Sequence, residues 1–84
     1  MIEQTIRKIL TDYGRIPVDV AGLSDHDDLF QVGLTSHATV NVLLALEETF
    51  DIEFPEEMMR KRTFESVAAI KAAIDQLGGS PLSG

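Results

Sequence analysis

Apolar side chains recur at helical spacing in three stretches of the chain, and this pattern predicts an all-α domain. In the first stretch they fall at every third or fourth position between Ile2 and Tyr13, and a glycine follows as a typical helix stop. The second stretch covers residues 36–50. The third begins at Thr63, a suitable N-cap, and ends at Leu77 before another glycine. No stretch of strand length alternates between apolar and polar residues.

Two segments between these helices have patterns of their own. Pro55 precedes two glutamates and predicts a short helix that ends around Arg62. Residues 15–35 show no sustained period and predict a long loop between the first and second helices. We expect this loop to be held by its apolar residues Val18, Val20, Leu23, Leu29, Phe30 and Leu34. The prediction is a bundle of three main helices plus one short helix over residues 1–77, followed by a flexible C-terminal tail at 78–84.

The helix predicted at residues 36–50 has two different faces. At about 100° per residue, its core-facing side consists of Val42, Leu43, Leu46 and Phe50. The opposite side mixes charged and apolar residues, namely His37, Val40, Leu44, Glu47 and Glu48. Val40 and Leu44 either widen the core stripe or contact a partner protein, and the two glutamates are either a solvated surface or part of the same contact.

Composition and charge exclude several classes of function. Hydrophobic residues make up 44% of the 84 residues and charged residues 25%, which is typical of one small folded domain. Seven basic against fourteen acidic residues give a net charge of −7, which disfavours binding to nucleic acid or anionic lipid. No apolar run is long enough to cross a membrane, the first residues lack a secretion-signal pattern, and cysteine is absent. We therefore expect a cytoplasmic protein with no membrane span and no nucleic-acid partner.

Side chains that could carry catalysis or bind a metal are scarce. His26 and His37 have no cysteine partner and belong to no recognisable catalytic motif. The acidic segment from Asp25 to Asp28 lacks the glycine and terminal glutamate of a calcium loop. We interpret it as a solvated loop in which Asp28 caps a local turn. The sequence predicts no catalytic residue and no metal site.

Ser36 is the residue with the clearest chemical potential. It lies where the long loop meets the second helix, so its hydroxyl could be the N-cap of that helix. It could equally be an exposed attachment point, because a helix N-terminus carries partial positive charge and free N–H groups that favour a phosphodiester on that oxygen. The local sequence alone leaves both interpretations open.

A family resemblance distinguishes them. The run DLFxxGxxS at residues 28–36 and the run LEETFDIEFPEE at residues 46–57 resemble the acyl carrier protein family, and the similarity covers nearly the whole chain. The resemblance implies a carrier rather than an enzyme. It implies that a separate phosphopantetheinyl transferase attaches 4′-phosphopantetheine covalently to Ser36, and that the thiol of this arm holds cargo as a thioester.

The sequence also departs from the family pattern around that serine. Thr35 stands where the family usually has Asp or His, and His37 stands where it usually has Leu or Ile. Ala38 and Asn41 occupy positions that are often acidic in fatty-acid carriers, and residues 60–62 are basic where such carriers are mostly acidic. These features look more like small stand-alone bacterial carriers that an amino acid:carrier protein ligase charges with an amino acid.

The resulting hypothesis is a carrier that presents an aminoacyl or acyl thioester to partner enzymes. Its partners would be the transferase, a ligase or another acyl-loading enzyme, and a downstream acceptor enzyme. The residues expected to dock those partners are Thr35, His37, Val40, Leu44, Glu47 and Glu48. One alternative is an acyl carrier in fatty-acid, polyketide or lipid-modification chemistry. An alternative of another class is an interaction module that keeps the fold but is never modified.

Overall fold

Three α-helices form the framework of the computed structural model, which describes residues 2–78. They are α1 (Ile2–Tyr13), α2 (Ser36–Phe50) and α3 (Val67–Gln76). No strand occurs among the described residues, so the all-α prediction is confirmed. Apart from Gly78, the predicted tail lies outside the described residues.

The core lies where α1 packs against both other helices. Each helix contributes the side chains of one face, because residues three and four positions apart share a side of a helix. Phe54 and Phe64 close one end of the core with ring centroids 5.4 Å apart and planes tilted by 56°. Each large apolar side chain removed from water in this way contributes about 1.5–3 kcal/mol to stability. The fully buried large side chains are Ile6, Leu10, Leu29, Val42, Leu46, Phe50, Val67, Ile70 and Ile74.

The long loop follows the surface of α1 and is partly held by its apolar residues, as predicted. Val20, Leu29 and Leu34 are buried, and Leu23 and Phe30 pack against the core from half-buried positions. Val18 does not follow the prediction, since its side chain is 44% exposed. Tyr13, at the end of α1, also lies mostly outside the core.

Hydrogen bonds tie the same loop to α1 and to the start of α3. The Arg7 guanidinium donates to the Val20 carbonyl at 2.6 Å and to the Asp25 carboxylate at 2.7 Å. The Asp25 carbonyl accepts from the Ala68 N–H at 2.9 Å, and the Leu29 N–H donates to the Glu65 carbonyl at 2.7 Å. These bonds fix the path along which the chain reaches α2.

One glycine is required just before α2. Gly33 has φ +121°, a conformation that side chains rarely adopt, and a Cβ at this position would overlap the Pro17 ring. The glycine therefore lets the loop pass close to Pro17 before the chain enters the helix. This explains in physical terms why the DLFxxGxxS run has a glycine at its centre.

The segment between α2 and α3 differs from the prediction in two respects. The predicted short helix is replaced by two 3₁₀ turns, Glu56–Met58 and Lys61–Phe64, because Arg60 is extended between them (φ −129°, ψ 155°). The predicted N-cap Thr63 is also wrong. Ser66 caps α3 instead, since its hydroxyl accepts a hydrogen bond from the Ala69 N–H at 3.0 Å.

Candidate functional site

Ser36 is the first residue of α2, and its side chain is exposed. The N-cap is the preceding residue: the Thr35 hydroxyl accepts a hydrogen bond from the Ala38 N–H at 3.0 Å. The interpretation of Ser36 as the N-cap is therefore wrong. Within residues 2–78 the Ser36 side chain makes no hydrogen bond.

An apolar groove of about 460 Å³ opens directly beside Ser36. Its walls come from the long loop, from the outer side of α2 and from the segment that leads to α3. Lys61 holds its ammonium group 5.0 Å from the centroid of the Phe30 ring. The groove is lined by Phe30, Ser36, Thr39, Val40, Leu43, Met59, Arg60, Lys61 and Phe64.

No sequence pattern predicted this groove. From the sequence, Phe30 is expected only to hold the long loop, and Met58 and Met59 are expected to fill space in the core. Met58 does pack against the core, but Met59 is 52% exposed and lines the groove. Val40 is the residue from which the groove could have been predicted, because it is apolar and lies one helical turn after Ser36 on the side facing away from the core.

A second and more polar hollow lies beside the start of α2. It has a volume of about 360 Å³ and is lined by Gly14, Arg15, Thr35, His37, Ala38 and Asn41. Arg15 reaches it from a left-handed backbone conformation with φ 52°. Two of the predicted docking residues, Thr35 and His37, therefore line a recess rather than a flat surface.

The other predicted docking residues fall into two groups. Val40 and Leu44 are 56% and 55% exposed, so they do not widen the core. Glu48 is exposed, and its role in docking a partner stays a prediction. Glu47 is half-buried and serves the fold, because its carboxylate accepts a hydrogen bond from the Phe54 N–H at 2.9 Å.

The acidic loop is organised by its own backbone. The Asp28 carboxylate accepts a hydrogen bond from the Phe30 N–H at 2.9 Å, which confirms that Asp28 caps a local turn. Asp27 accepts from the Ser24 N–H at 2.8 Å in the same way. Between residues 2 and 78, no group of three or more histidine and acidic side chains is placed to hold a metal ion.

The sequence pattern of a known family, described as "Phosphopantetheine attachment site", matches residues 4–73. The chain belongs to this family. The matched range includes Ser36, all of α2 and most of α1 and α3. The architecture agrees as well, since a holo acyl carrier protein from Nitrosomonas europaea superimposes with a TM-score of 0.77 at 28% identity, covering 89% of this chain and 92% of that one.

Two further proteins similar to this chain have descriptions that mention an aminoacyl group or glycine. An aminoacyl carrier protein from Agrobacterium fabrum is 41% identical over 70 residues, which cover 83% of this chain and 84% of the relative. A chain in the crystal structure of an engineered Bradyrhizobium japonicum glycine:[carrier protein] ligase, complexed with a carrier protein from Agrobacterium tumefaciens and ATP, has a TM-score of 0.87. It is 38% identical to this chain, covering 90% of this chain and 99% of its own length. The chain is thus similar over most of its length to carrier proteins, one of them named for an aminoacyl cargo.

The geometry around Ser36 fits the prosthetic group that the family binds. A phosphodiester on the serine oxygen would lie at the N-terminus of α2, where the helix dipole and the free N–H groups stabilise negative charge. The groove beside it offers apolar surface to the rest of a flexible arm.

Among residues 2–78, no helix is both long enough and apolar enough to cross a bilayer.

Proposed function

We propose that Ser36 carries 4′-phosphopantetheine through a phosphodiester bond and that the arm holds an aminoacyl group as a thioester. The single observation that carries this proposal is the exposed Ser36 hydroxyl, which the capping of α2 by Thr35 leaves unused. The similarity to a relative called aminoacyl carrier protein supports the choice of cargo.

The fold suits a carrier because it supplies a rigid body to which a flexible arm can be attached at Ser36. A flexible arm raises the effective concentration of its cargo at the active site of whichever partner the body docks to. The body needs no catalytic group for this role, and the chemistry belongs to the partners. These would be a phosphopantetheinyl transferase, an amino acid:carrier protein ligase and a downstream acceptor enzyme.

We propose that the outer side of α2 docks the ligase. Val40 and Leu44 are exposed one helical turn apart, and Glu48 continues the same side of the helix. Exposed apolar residues beside charged ones are typical of protein contact surfaces. A ligase complexed with a structurally similar carrier supports this type of partner. His37, at the start of the same helix, lies next to the attachment point.

Intact mass measures the attachment directly. After co-expression with a phosphopantetheinyl transferase, the protein should gain the mass of one phosphopantetheine group, and Ser36→Ala should gain none. Ser24→Ala is the matched control, since it removes another exposed hydroxyl from the loop region and should still be modified. A wild-type chain that stays at its unmodified mass would refute the proposal.

The cargo needs a second measurement. The modified protein, incubated with a candidate ligase, ATP and amino acids, should form an adduct that hydroxylamine releases, as expected of a thioester. Loading by acyl or malonyl transfer enzymes alone would instead identify an acyl carrier of fatty-acid, polyketide or lipid-modification chemistry. A chain that is never modified would be the interaction module.

A further inference from the structure

The groove beside Ser36 is apolar, but two exposed cationic residues stand at its wall. Among the described residues that line it, Arg60 and Lys61 are the charged ones, and no carboxylate is included. Lys61 is held by the face of the Phe30 ring, 5.0 Å from its centroid. Arg60 is held by a hydrogen bond from its Nε to the Glu57 carbonyl at 3.0 Å. The acidic side chains nearest in sequence on either side, Glu57 and Glu65, are exposed and outside the lining.

The cargo changes the charge at the end of the arm. An unloaded arm ends in a neutral thiol. An aminoacyl thioester ends in an α-amino group, whose ordinary pKa of about 7.7–8.0 keeps most of it protonated at neutral pH. An ammonium group is costly to bury against apolar walls, and the positive charges of Arg60 and Lys61 repel it further.

We propose that Arg60 and Lys61 make this groove selective for the charge of the arm, so that the unloaded arm lies in the groove and the aminoacylated arm is excluded from it. The inference rests on the proposed function, because it needs an arm on Ser36 and an aminoacyl cargo. Loading would then itself release the cargo to the solvent, where a partner enzyme reaches it. One unit charge near two partly solvated cations should lower the occupancy of the groove about threefold to tenfold.

Methyl NMR on the modified protein tests this inference without any enzyme activity. The probes are the methyl groups of Val40, Leu43 and Met59, all of which line the groove. Three arms are compared: the free thiol, a glycyl arm and a glycolyl arm, the last two joined by a hydrolysis-resistant amide. Glycyl and glycolyl differ only in an ammonium or a hydroxyl group. Relative to the protein without an arm, we expect the thiol and glycolyl arms to shift these methyl signals clearly. The glycyl arm should shift them several-fold less.

Lys61→Gln identifies the residue responsible, and Arg62→Gln is its matched control. Arg62 is exposed and basic and belongs to the same 3₁₀ turn, but it does not line the groove. In Lys61→Gln the glycyl arm should occupy the groove about twofold to threefold more than in the wild type, because one of the two cations remains, whereas Arg62→Gln should match the wild type. Melting curves of the unmodified variants verify that both are folded.

Three results would overturn the inference. The glycyl and glycolyl arms could shift the methyl signals equally, no arm could shift them, or Lys61→Gln could behave like Arg62→Gln. Failure of the proposed function has a different signature, because the mass spectrum would then show no arm on Ser36 before any NMR comparison is made.

Discussion

At the scale of single residues, Thr35 and Ser36 stand side by side at the start of α2 and make different use of the same chemical group. The Thr35 hydroxyl satisfies the Ala38 N–H, one of the donors that the first turn of a helix leaves unpaired. The Ser36 hydroxyl is exposed and takes no part in the cap. Helix capping and the proposed attachment of the arm therefore fall on separate residues, and each can be changed without the other.

This separation predicts different effects of two alanine substitutions on folding. Thr35→Ala should lower the free energy of unfolding by about 1 kcal/mol, because it removes an N-cap. Ser36→Ala should change it by less than about 0.5 kcal/mol, since the side chain is exposed and alanine suits the first turn of a helix. Urea unfolding of the unmodified proteins measures both values.

Thr35→Ser is the control for this comparison, because serine keeps the capping oxygen. It should recover most of the stability that Thr35→Ala loses. A loss in Ser36→Ala as large as that in Thr35→Ala would contradict the assignment of the cap.

At the scale of elements, the C-terminal end of α2 depends on Glu47. Its carbonyl accepts the N–H groups of Asp51 and Ile52, and Asp51 turns the chain in the left-handed conformation with φ 54°. The Glu47 carboxylate accepts a hydrogen bond from the N–H of Phe54, whose ring is buried. Glu48 is exposed and makes no such bond among the described residues. The first glutamate thus ends the helix and directs the chain back into the core, while the second is available to a partner.

The two glutamates should therefore separate folding from docking. Glu47→Ala should cost about 1–2 kcal/mol, because it leaves the Phe54 N–H without a charged acceptor in a partly buried turn. Glu48→Ala should stay within about 0.5 kcal/mol of the wild type. Chemical unfolding gives both numbers, and titration with a candidate ligase gives the binding affinity.

Glu47→Gln serves as the conservative control, since its side-chain oxygen can still accept the hydrogen bond. If Glu48 docks a partner, Glu48→Ala will weaken ligase binding at unchanged stability. Equal losses of stability in Glu47→Ala and Glu48→Ala would show that the Phe54 hydrogen bond does not hold the turn.

At the scale of the whole molecule, helical periodicity predicted the three helices, and Leu29 and Leu34 were correctly expected to hold the long loop. The N-cap of α3 was not predictable in the same way, because Thr63 and Ser66 have the same capping chemistry. In the structure Thr63 lies inside the 3₁₀ turn Lys61–Phe64, whereas Ser66 is extended and caps α3. The groove was missed because its walls come from three separate segments of the chain. A periodicity describes one element at a time, whereas a groove depends on how the elements pack.

One ion pair connects the first helix of the bundle to the last. The Lys71 ammonium on α3 lies 2.8 Å from the Glu3 carboxylate in the first turn of α1, and both side chains are partly exposed. The hydrogen bond from Lys71 lowers the pKa of Glu3 below its ordinary value of 4.5, and the same bond raises the pKa of Lys71 above 10.5. A lowered carboxylate pKa stabilises the fold at pH values above the ordinary one, and this stabilisation disappears as the pH falls through the lowered value.

Glu3→Gln should accordingly melt at a slightly lower temperature than the wild type at neutral pH, and the difference should shrink as the pH falls below 4.5, because the wild-type carboxylate then becomes neutral too. At the alkaline end the pair weakens once the pH rises above 10.5 and through the raised pKa of Lys71. Calorimetry over this pH range measures the difference. Asp12→Asn is the control, since it breaks the exposed pair between Lys8 and Asp12 within α1 and leaves the contact between α1 and α3 intact. A difference between Glu3→Gln and the wild type that persisted unchanged in strong acid would show that the carboxylate charge is not what joins these two helices.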